Sequence, residues 1–323
     1  GDVYKRQVFF FSPCGMVKTS YLSTALEGTP LFMTYPENQF GPDHYSWLIG
    51  RNQLEMPTGL GPIAPAEPTD RTAVVEQELR QWSVIDSNGE ITEQARALFE
   101  GVTHYKYSFW GTLLLINEKE PIEVEIDQEL IDWGVAASLI DVPRVFWQIT
   151  RHAGGVTVAM RAGDSIVVTR REGSDDSSLR DCAEELLNVI NPTGSWPAGK
   201  FKPVMVPMSV FESMPQSLIR ADSGASKAMR KLRQLMAQEK VPSDMIERYS
   251  KLLSVEKLAH TNVLFSPAPG KISSMRFEVE FLYEIGMVLT GYRNNFEGEE
   301  SVYVAPATAS SIADQMGRIR EGA

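Results

Sequence analysis

The sequence predicts an α+β fold built on antiparallel sheet. Three observations carry this prediction: short stretches alternate apolar and polar residues, these stretches follow one another through tight turns, and amphipathic helices lie before and after them. Both halves of the chain show the order helix, strands, helix. We therefore expect antiparallel sheets in two loosely related halves, with flanking helices.

Three helices are predicted before the first strand. Residues 43–55 carry apolar side chains at helical spacing, and a second helix begins near Asp70, after the proline-rich loop 57–68. A third helix, 92–100, follows an Asn-Gly turn. These elements predict a helical layer that precedes the sheet of the first half.

A run of strands follows these helices. Residues 103–115 alternate with a period of two, which predicts a strand with one apolar face. We interpret residues 127–140 as a candidate helix inserted before the next strands. Residues 145–150, 156–160 and 166–169 then predict a meander joined by two glycine-containing turns.

The helix 178–190 closes the first half, and it has a capping-box pattern at its start and a stripe of apolar residues. A linker, 194–207, leads to the second half. Two further helices are predicted near 223–239 and 243–254.

The end of the chain returns to sheet. A strand near 262–265 precedes the clearest alternation in the sequence, 275–289, which predicts one long strand of roughly 50 Å. A last helix spans 306–320, with Ile312 and Ile319 facing inward.

Composition excludes several classes of function. The 323 residues include 31 Lys and Arg against 42 Asp and Glu, a net charge of -11. Such a balance disfavours non-specific binding to nucleic acid and docking on anionic lipid. No apolar run approaches the roughly 20 residues that span a bilayer. The two cysteines, Cys14 and Cys182, form no Cys-x-x-Cys motif and favour a reducing compartment. We therefore predict a cytoplasmic protein without membrane insertion.

The start of the chain is unusual. It begins with Gly1, and residues 1–7 resemble a translated sequencing adapter. We expect residues 1–15 to be a non-native or disordered extension, with the natural start at Met16 and the fold within residues 16–323.

A search for catalytic chemistry finds little. The four histidines, His44, His104, His152 and His260, lie far apart, and none stands in a His-Glu-x-x-His motif or beside a cysteine. We therefore predict no catalytic residues, no metal and no cofactor, and a protein that is not an enzyme. Two alternatives remain: an enzyme with a site assembled from dispersed residues, for example Asp132, His104 and His152, and an adaptor with an unrelated partner.

One segment concentrates cations against the acidic background, the predicted helix 223–239. Its cations are Lys227, Arg230, Lys231 and Arg233. Its other face includes Met229, Leu232 and Met236. By itself the pattern favours an amphipathic helix with a solvated basic face. The functional interpretation is a docking helix, because methionine adapts to irregular partner surfaces and arginine is enriched at binding hot spots.

The linker before this helix exposes an aromatic residue, Trp196, between Gly194 and Pro197. An aromatic side chain on such a loop is more often a binding residue than a core residue. The candidate partner-binding residues are Trp196, Lys227, Met229, Arg230, Arg233 and Met236. We expect Leu232 to belong mainly to the core and Met229 or Arg230 to lie nearer the partner.

Several segments together resemble one family. Residues 78–111 have the order helix, Asn-Gly-Glu turn, helix and aromatic strand ending in Phe-Trp-Gly; residues 146–169 follow as strands with an Arg-Ala-Gly-Asp turn; and Val-Tyr-Val-Ala-Pro-Ala at 302–307 opens the last helix. This arrangement, over roughly residues 43–320, resembles the EspG family of type VII (ESX) secretion-associated proteins of mycobacteria and related actinobacteria. The acidic segment 117–143 is longer than the usual hairpin of that family.

The resemblance implies a fold and a function. It implies a single EspG-like domain with a C-terminal helical bundle and two subdomains, about 43–192 and 200–320. It implies a cytosolic chaperone, not an enzyme, that binds the apolar tip of the PPE protein in PE–PPE heterodimers, keeps it soluble and targets it to an ESX system. The expected state is a monomer or weak homodimer, with residues 117–121 as a candidate rim of the binding site.

Overall fold

The computed structural model describes residues 40–63, 71–118, 120–123, 138–153, 155–172, 179–213, 225–294, 298 and 300–322. The expectations for residues 1–15 and Met16 therefore lie outside the described residues. The same holds for Asp132 and for the capping residue Ser178.

Helices and strands alternate in blocks along the described chain. The helices are α1 (Pro42–Gly50), α2 (Thr72–Gln81), α3 (Glu93–Thr103), α4 (Leu179–Ile190), α5 (Met208–Glu212), α6 (Ala225–Gln238), α7 (Ser243–Ser254) and α8 (Ala309–Glu321). The strands are β1 (Tyr107–Leu114), β2 (Glu120–Glu123), β3 (Ser138–Asp141), β4 (Arg144–His152), β5 (Gly155–Ala162), β6 (Ser165–Glu172), β7 (Val204–Pro207), β8 (Lys257–Ser266), β9 (Arg276–Leu282), β10 (Gly286–Asn294) and β11 (Glu300–Pro306).

Local signals in the sequence place several of these boundaries. Thr92 precedes α3 and its side chain accepts a hydrogen bond from the backbone of Ala95, and Thr308 forms a capping box with Ser311 at the start of α8. The meander β4–β5–β6 matches the predicted one, with Gly163 at φ 55° in its second turn.

Nine strands form one antiparallel sheet in the order β6-β5-β4-β1-β8-β9-β10-β11-β7, and β2 and β3 form a separate two-stranded antiparallel sheet. Each half contributes four neighbouring strands followed by a helix: β1, β4, β5 and β6 before α4, and β8, β9, β10 and β11 before α8. The predicted α+β class with antiparallel sheet is confirmed. The halves meet where β1 pairs with β8, so they share one sheet. The division into subdomains stays a prediction.

One face of the sheet, here called the first face, carries the largest core. Helices α4 and α8 pack against each other and against this face. The predicted inward residues of both helices are buried there, including Cys182, Leu186, Ile312 and Ile319. Burial raises the pKa of the Cys182 thiol to about 12, so this cysteine is a packing residue and not a reactive one.

The opposite, second face carries two separate cores. Helices α1, α2 and α3 cover β5 and β6 around Ala159, Ile166 and Val168. Helices α5, α6 and α7 cover β7, β10 and β11, with Val204 and Val302 in the middle. Strands covered on both faces need apolar residues at successive positions, which explains the continuous runs in β5 and β6.

Two predicted elements of the first half differ from the structure. The strand predicted over 103–115 begins only at Tyr107, because α3 continues to Thr103. The candidate helix 127–140 is wrong for its last residues, since Ser138–Asp141 is strand β3 paired with β2. The rest of that candidate helix lies outside the described residues.

The single long strand predicted over 275–289 is wrong, because the chain folds back after Leu282 and returns as β10. The connection has three residues, 283–285, with Glu284 at φ 58°, and Gly286 at φ 100° begins β10. An odd loop length keeps the alternation in phase through the turn, so Phe281 and Met287 lie opposite each other on the first face. The period of two therefore continues through a hairpin.

The predicted linker 194–207 is also shorter than expected, because its end forms the edge strand β7 beside β11. The strand predicted near 262–265 extends over the whole of β8. Both strands are longer than predicted because they pair with strands that are distant in sequence, and local alternation does not predict such pairing.

A tryptophan crosses the joint between the halves. Trp147 on β4 lies opposite Gly111 on β1, and its indole Nε1 donates to Thr261 Oγ1 on β8 at 3.0 Å. The ring passes over Gly111, where a Cβ would lie 2.9 Å from the Trp147 ring and would overlap the carbonyl oxygen of Asn262. Only glycine fits beneath the ring, so this residue lets one side chain connect three strands.

We expect Gly111→Ala to lower the free energy of unfolding by about 3 kcal/mol, because neither the Asn262 backbone nor the buried ring can move away from the added methyl group cheaply. Urea unfolding measures the change. The matched control is Gly317→Ala in α8, where the methyl group would lie at an ordinary 3.4 Å from Leu179. There, stability is expected to stay level or rise by up to about 1 kcal/mol. Equal effects of the two substitutions would contradict this account.

Candidate partner-binding surface

Helix α6 forms the centre of the predicted surface. Leu232 and Met236 are fully buried against the valines of β7 and β11, and Met229 is partly buried beside them. The chain then reverses at Lys240, whose φ is 55°, and Val241 donates its backbone N–H to Met236 at 3.0 Å. Helix α7 packs against α6 after this turn. The expectation that Leu232 belongs to the core is confirmed.

The other side of α6 presents exposed cations, namely Arg230, Lys231 and Arg233. Arg230 and Arg233 are three residues apart and share one flank, whereas Lys231 lies on the other. Arg233 also has a structural contact, because its Nε donates to the buried Ser250 Oγ of α7 at 3.1 Å. The side chain of Lys227 lies outside the described residues.

The predicted partner-binding residues of α6 therefore differ in how deeply they are buried. Met229 is partly buried at the edge of the core, one helical turn before Arg233. Arg230 and Arg233 are exposed to solvent. Met236 is fully enclosed by the core of the second face, so its side chain supports the surface from below.

Trp196 lies elsewhere. Its ring packs edge-on against Phe281 on the first face, with 5.1 Å between ring centroids, whereas α6 covers the second face. The Asn191 side chain clamps the loop, accepting from the Trp196 N–H at 3.2 Å and donating to its carbonyl oxygen at 2.8 Å. The structure does not bring Trp196 to α6, and its role in partner binding stays a prediction.

A second surface was missed by the sequence analysis. We call it the central strip, the second-face side chains of the middle strands β1, β8 and β9. Its members are Trp110, Thr112, Leu114, His260, Asn262, Leu264, Glu278 and Glu280, and all are partly exposed. The strip lies between the two cores of the second face. The alternation of Glu278 and Glu280 with buried residues is the sequence signal for the part of the strip that lies on β9.

The charged end of the strip combines a histidine, two carboxylates and a lysine. His260 Nε2 lies 3.3 Å from Glu278 Oε2, and the Lys257 ammonium forms an ion pair with Glu280. Burial, with a smaller contribution from Glu280, raises the pKa of Glu278. Burial, with the positive charge of Lys257, lowers the pKa of His260. The cluster therefore favours a neutral imidazole beside closely spaced carboxyl groups.

The other histidines have separate surroundings. His44 contacts Glu78 at 2.9 Å, His104 lies 3.9 Å from Glu55, and His152 Nε2 lies 3.0 Å from Thr157 Oγ1. Burial, reinforced by the neighbouring arginines of β4 and β6, lowers the pKa of His152 to about 4. The example given for a dispersed enzyme site also included Asp132, which lies outside the described residues.

Comparison with known proteins gives one strong result. No protein-family model matches the chain, and no curated protein matches its sequence. Among solved structures, the fold is similar to the Mycobacterium tuberculosis type VII secretion system chaperone EspG5, solved in complex with the PE25–PPE41 dimer. The TM-score is 0.59 at 14% identity, and the match covers 87% of this chain and 94% of that chain. The chain therefore has an EspG-like fold.

The structure also bears on membranes. Within the ranges described above, no helix combines the length and the apolar composition needed to cross a bilayer.

His152 should make the protein less stable in mild acid. Its pKa is about 4 in the folded protein against an ordinary 6.5, so the unfolded chain takes up this proton first as the pH falls. The free energy of unfolding is therefore highest above about pH 6.5, where His152 is neutral in both states, and it falls progressively towards pH 4. Urea midpoints across this window should fall less steeply for His152→Gln than for the wild type. Parallel curves for the two proteins would contradict the assignment.

Trp196 should stabilise the fold. We expect Trp196→Ala to cost about 2 kcal/mol of unfolding free energy, because the half-buried ring leaves a gap over Phe281. The control is Ile272→Ala, at a side chain that is 59% exposed, which should change stability by less than about 0.5 kcal/mol. An unchanged melting temperature for Trp196→Ala would show that the ring does not support the loop.

Proposed function

We propose that this protein is a chaperone of the EspG type that binds a PE–PPE heterodimer in the cytoplasm and targets it to a type VII secretion system. The observation that carries the proposal is the similarity of fold to a chaperone solved with such a dimer, which extends over 87% of this chain. A match of that extent cannot be confined to one half of the chain. It supports the same mode of action, with the partner held as a non-covalent complex.

We place the partner on the exposed flank of α6, at Met229, Arg230 and Arg233, with Lys227 one turn earlier. The flank stands on a rigid base, since Leu232 and Met236 are fixed in the core beneath it. It offers an adaptable thioether beside planar guanidinium groups, which suits an apolar helical tip with terminal carbonyl or carboxylate oxygens. Trp196 is the second predicted contact. Because it lies on the first face, we propose that it contacts a different part of the partner from α6.

Charge supports specificity at this surface. The protein carries a net charge of -11, so a partner reaching α6 meets a local cationic site on an acidic molecule. Such a contrast orients an approaching partner and disfavours other orientations. We propose that the protein acts in this way as a monomer or weak homodimer.

Binding should depend on Arg230. Truncating a hot spot costs roughly 2 kcal/mol, about thirtyfold in Kd. We expect Arg230→Ala to lose that much affinity for a PE–PPE dimer that the wild type binds, with little change in melting temperature. Co-purification and titration of the purified dimer measure the effect. Lys231→Ala is the matched control, because it removes an equal charge from the other flank of the same helix.

The outcomes separate function from site. If the wild type does not bind any PE–PPE dimer, the chaperone proposal is wrong, and an adaptor role with another partner takes its place. If the wild type binds and Arg230→Ala binds equally well, the function stands and the α6 site is wrong. Equal losses for Arg230→Ala and Lys231→Ala would mean that only net charge matters.

A further inference from the structure

The charged end of the central strip has the composition of a metal site. His260, Glu278 and Glu280 each offer one ligand atom, and these atoms all lie within 4.8 Å of one another. Imidazole nitrogen and carboxylate oxygen are both ligands that proteins use for Zn²⁺ and other divalent transition metals. The donors come from two strands, so no spacing motif marks them in the sequence.

The backbone fixes these donors in place. His260 on β8 lies directly opposite Glu280 on β9, and Glu278 lies two residues earlier on β9, on the same face. The alternate residues of β9, Phe277 and Val279, are fully buried in the first-face core and hold the strand rigid. The three donors therefore converge because of strand pairing and core packing, and the fold does not depend on an ion.

We propose that His260, Glu278 and Glu280 bind a single divalent transition-metal ion of the Zn²⁺ type, with remaining positions open to water or to a partner group. Two ligands on one tetrahedral zinc ion are about 3.4 Å apart, given metal–ligand distances of about 2.1 Å. His260 Nε2 and Glu278 Oε2 already lie at 3.3 Å. An ion between them thus requires little movement of that pair.

Charge and burial favour an ion at this place. The side chains of His260, Glu278 and Glu280 are 17%, 34% and 18% exposed, so water screens the two carboxylates only partly. The Lys257 ammonium now balances Glu280. A divalent ion would replace it as the countercharge for both carboxylates, and Lys257 would move towards solvent, where its side chain is already 40% exposed.

The ligand set also selects the class of metal. Calcium and magnesium prefer shells made of oxygen, whereas imidazole nitrogen favours zinc, cobalt, nickel and copper. The site lies on the second face of the sheet, where the strip residues Leu114 and Asn262 are its strand neighbours. This site goes beyond the proposed chaperone function and does not rely on it.

The test uses the full chain, free of affinity tags and stripped with a chelator. Calorimetric titration with Zn²⁺ and visible absorption with Co²⁺ should both show one ion per chain, and Zn²⁺ should raise the melting temperature. His260→Asn and Glu278→Gln should each weaken binding at least about tenfold. Lys257→Met, which removes the competing ammonium, should tighten it.

The matched control is His104→Asn, which removes an exposed histidine with a single carboxylate 3.9 Å away and should leave binding unchanged. Circular dichroism and melting of each variant without metal establish that it is folded. Absence of binding by the wild type would overturn the proposal. So would binding that survives both His260→Asn and Glu278→Gln in folded protein, since the ion would then lie elsewhere.

Discussion

The fold depends on one crossing at the middle of the sheet, where the Trp147 indole passes over Gly111 and bonds to Thr261. Without it, the four strands of the first half and the five of the second would each have an open edge at the centre of the molecule. The crossing fixes β4, β1 and β8 with one buried side chain, and it lies in the same core as α4 and α8. The single nine-stranded sheet, and every surface built on it, follows from this joint.

The single sheet also determines where charged side chains can be exposed. The first face is closed by α4 and α8, which pack on each other across the middle of the sheet. On the second face, the helices gather at the two ends, and the middle strands keep partly exposed side chains. The two surfaces with unusual charge, the basic flank of α6 and the acidic end of the central strip, both belong to this second side. They differ in the sign of their charge.

Local patterns in the sequence were sufficient for two kinds of element. The helices α4 and α8 match their predictions because each buries one stripe with an uninterrupted helical period, and the meander β4–β5–β6 matches because its short apolar runs are separated by tight turns. The hairpin of β9 and β10 was missed because its three-residue loop preserves the alternation. Gly286 was the available signal, since its positive φ and its approach to the Pro197 carbonyl both require glycine.

The sites were harder to predict than the elements, for a physical reason. Helical periodicity placed Leu232 in the core correctly, but the position of Trp196 depends on which face its loop covers. The strip and its histidine depend on the pairing of β1 with β8 and of β8 with β9, which no local spacing encodes. The EspG-like fold could be inferred from the order of elements, whereas the convergence of His260 with two glutamates could not.

The order of synthesis gives the joint a further consequence. Trp110 on β1 donates to Ser266 on β8 across 156 residues of sequence. The first half can close its own turns as it leaves the ribosome, but β1 then ends that partial sheet and carries apolar Phe109 and Leu113 beside an unpaired edge. The edge stays open until β8 has been made, and at translation speeds of about 5–20 residues per second this takes roughly 8–30 s. During that time the first half has an unpaired strand edge, which is a template for pairing with other chains.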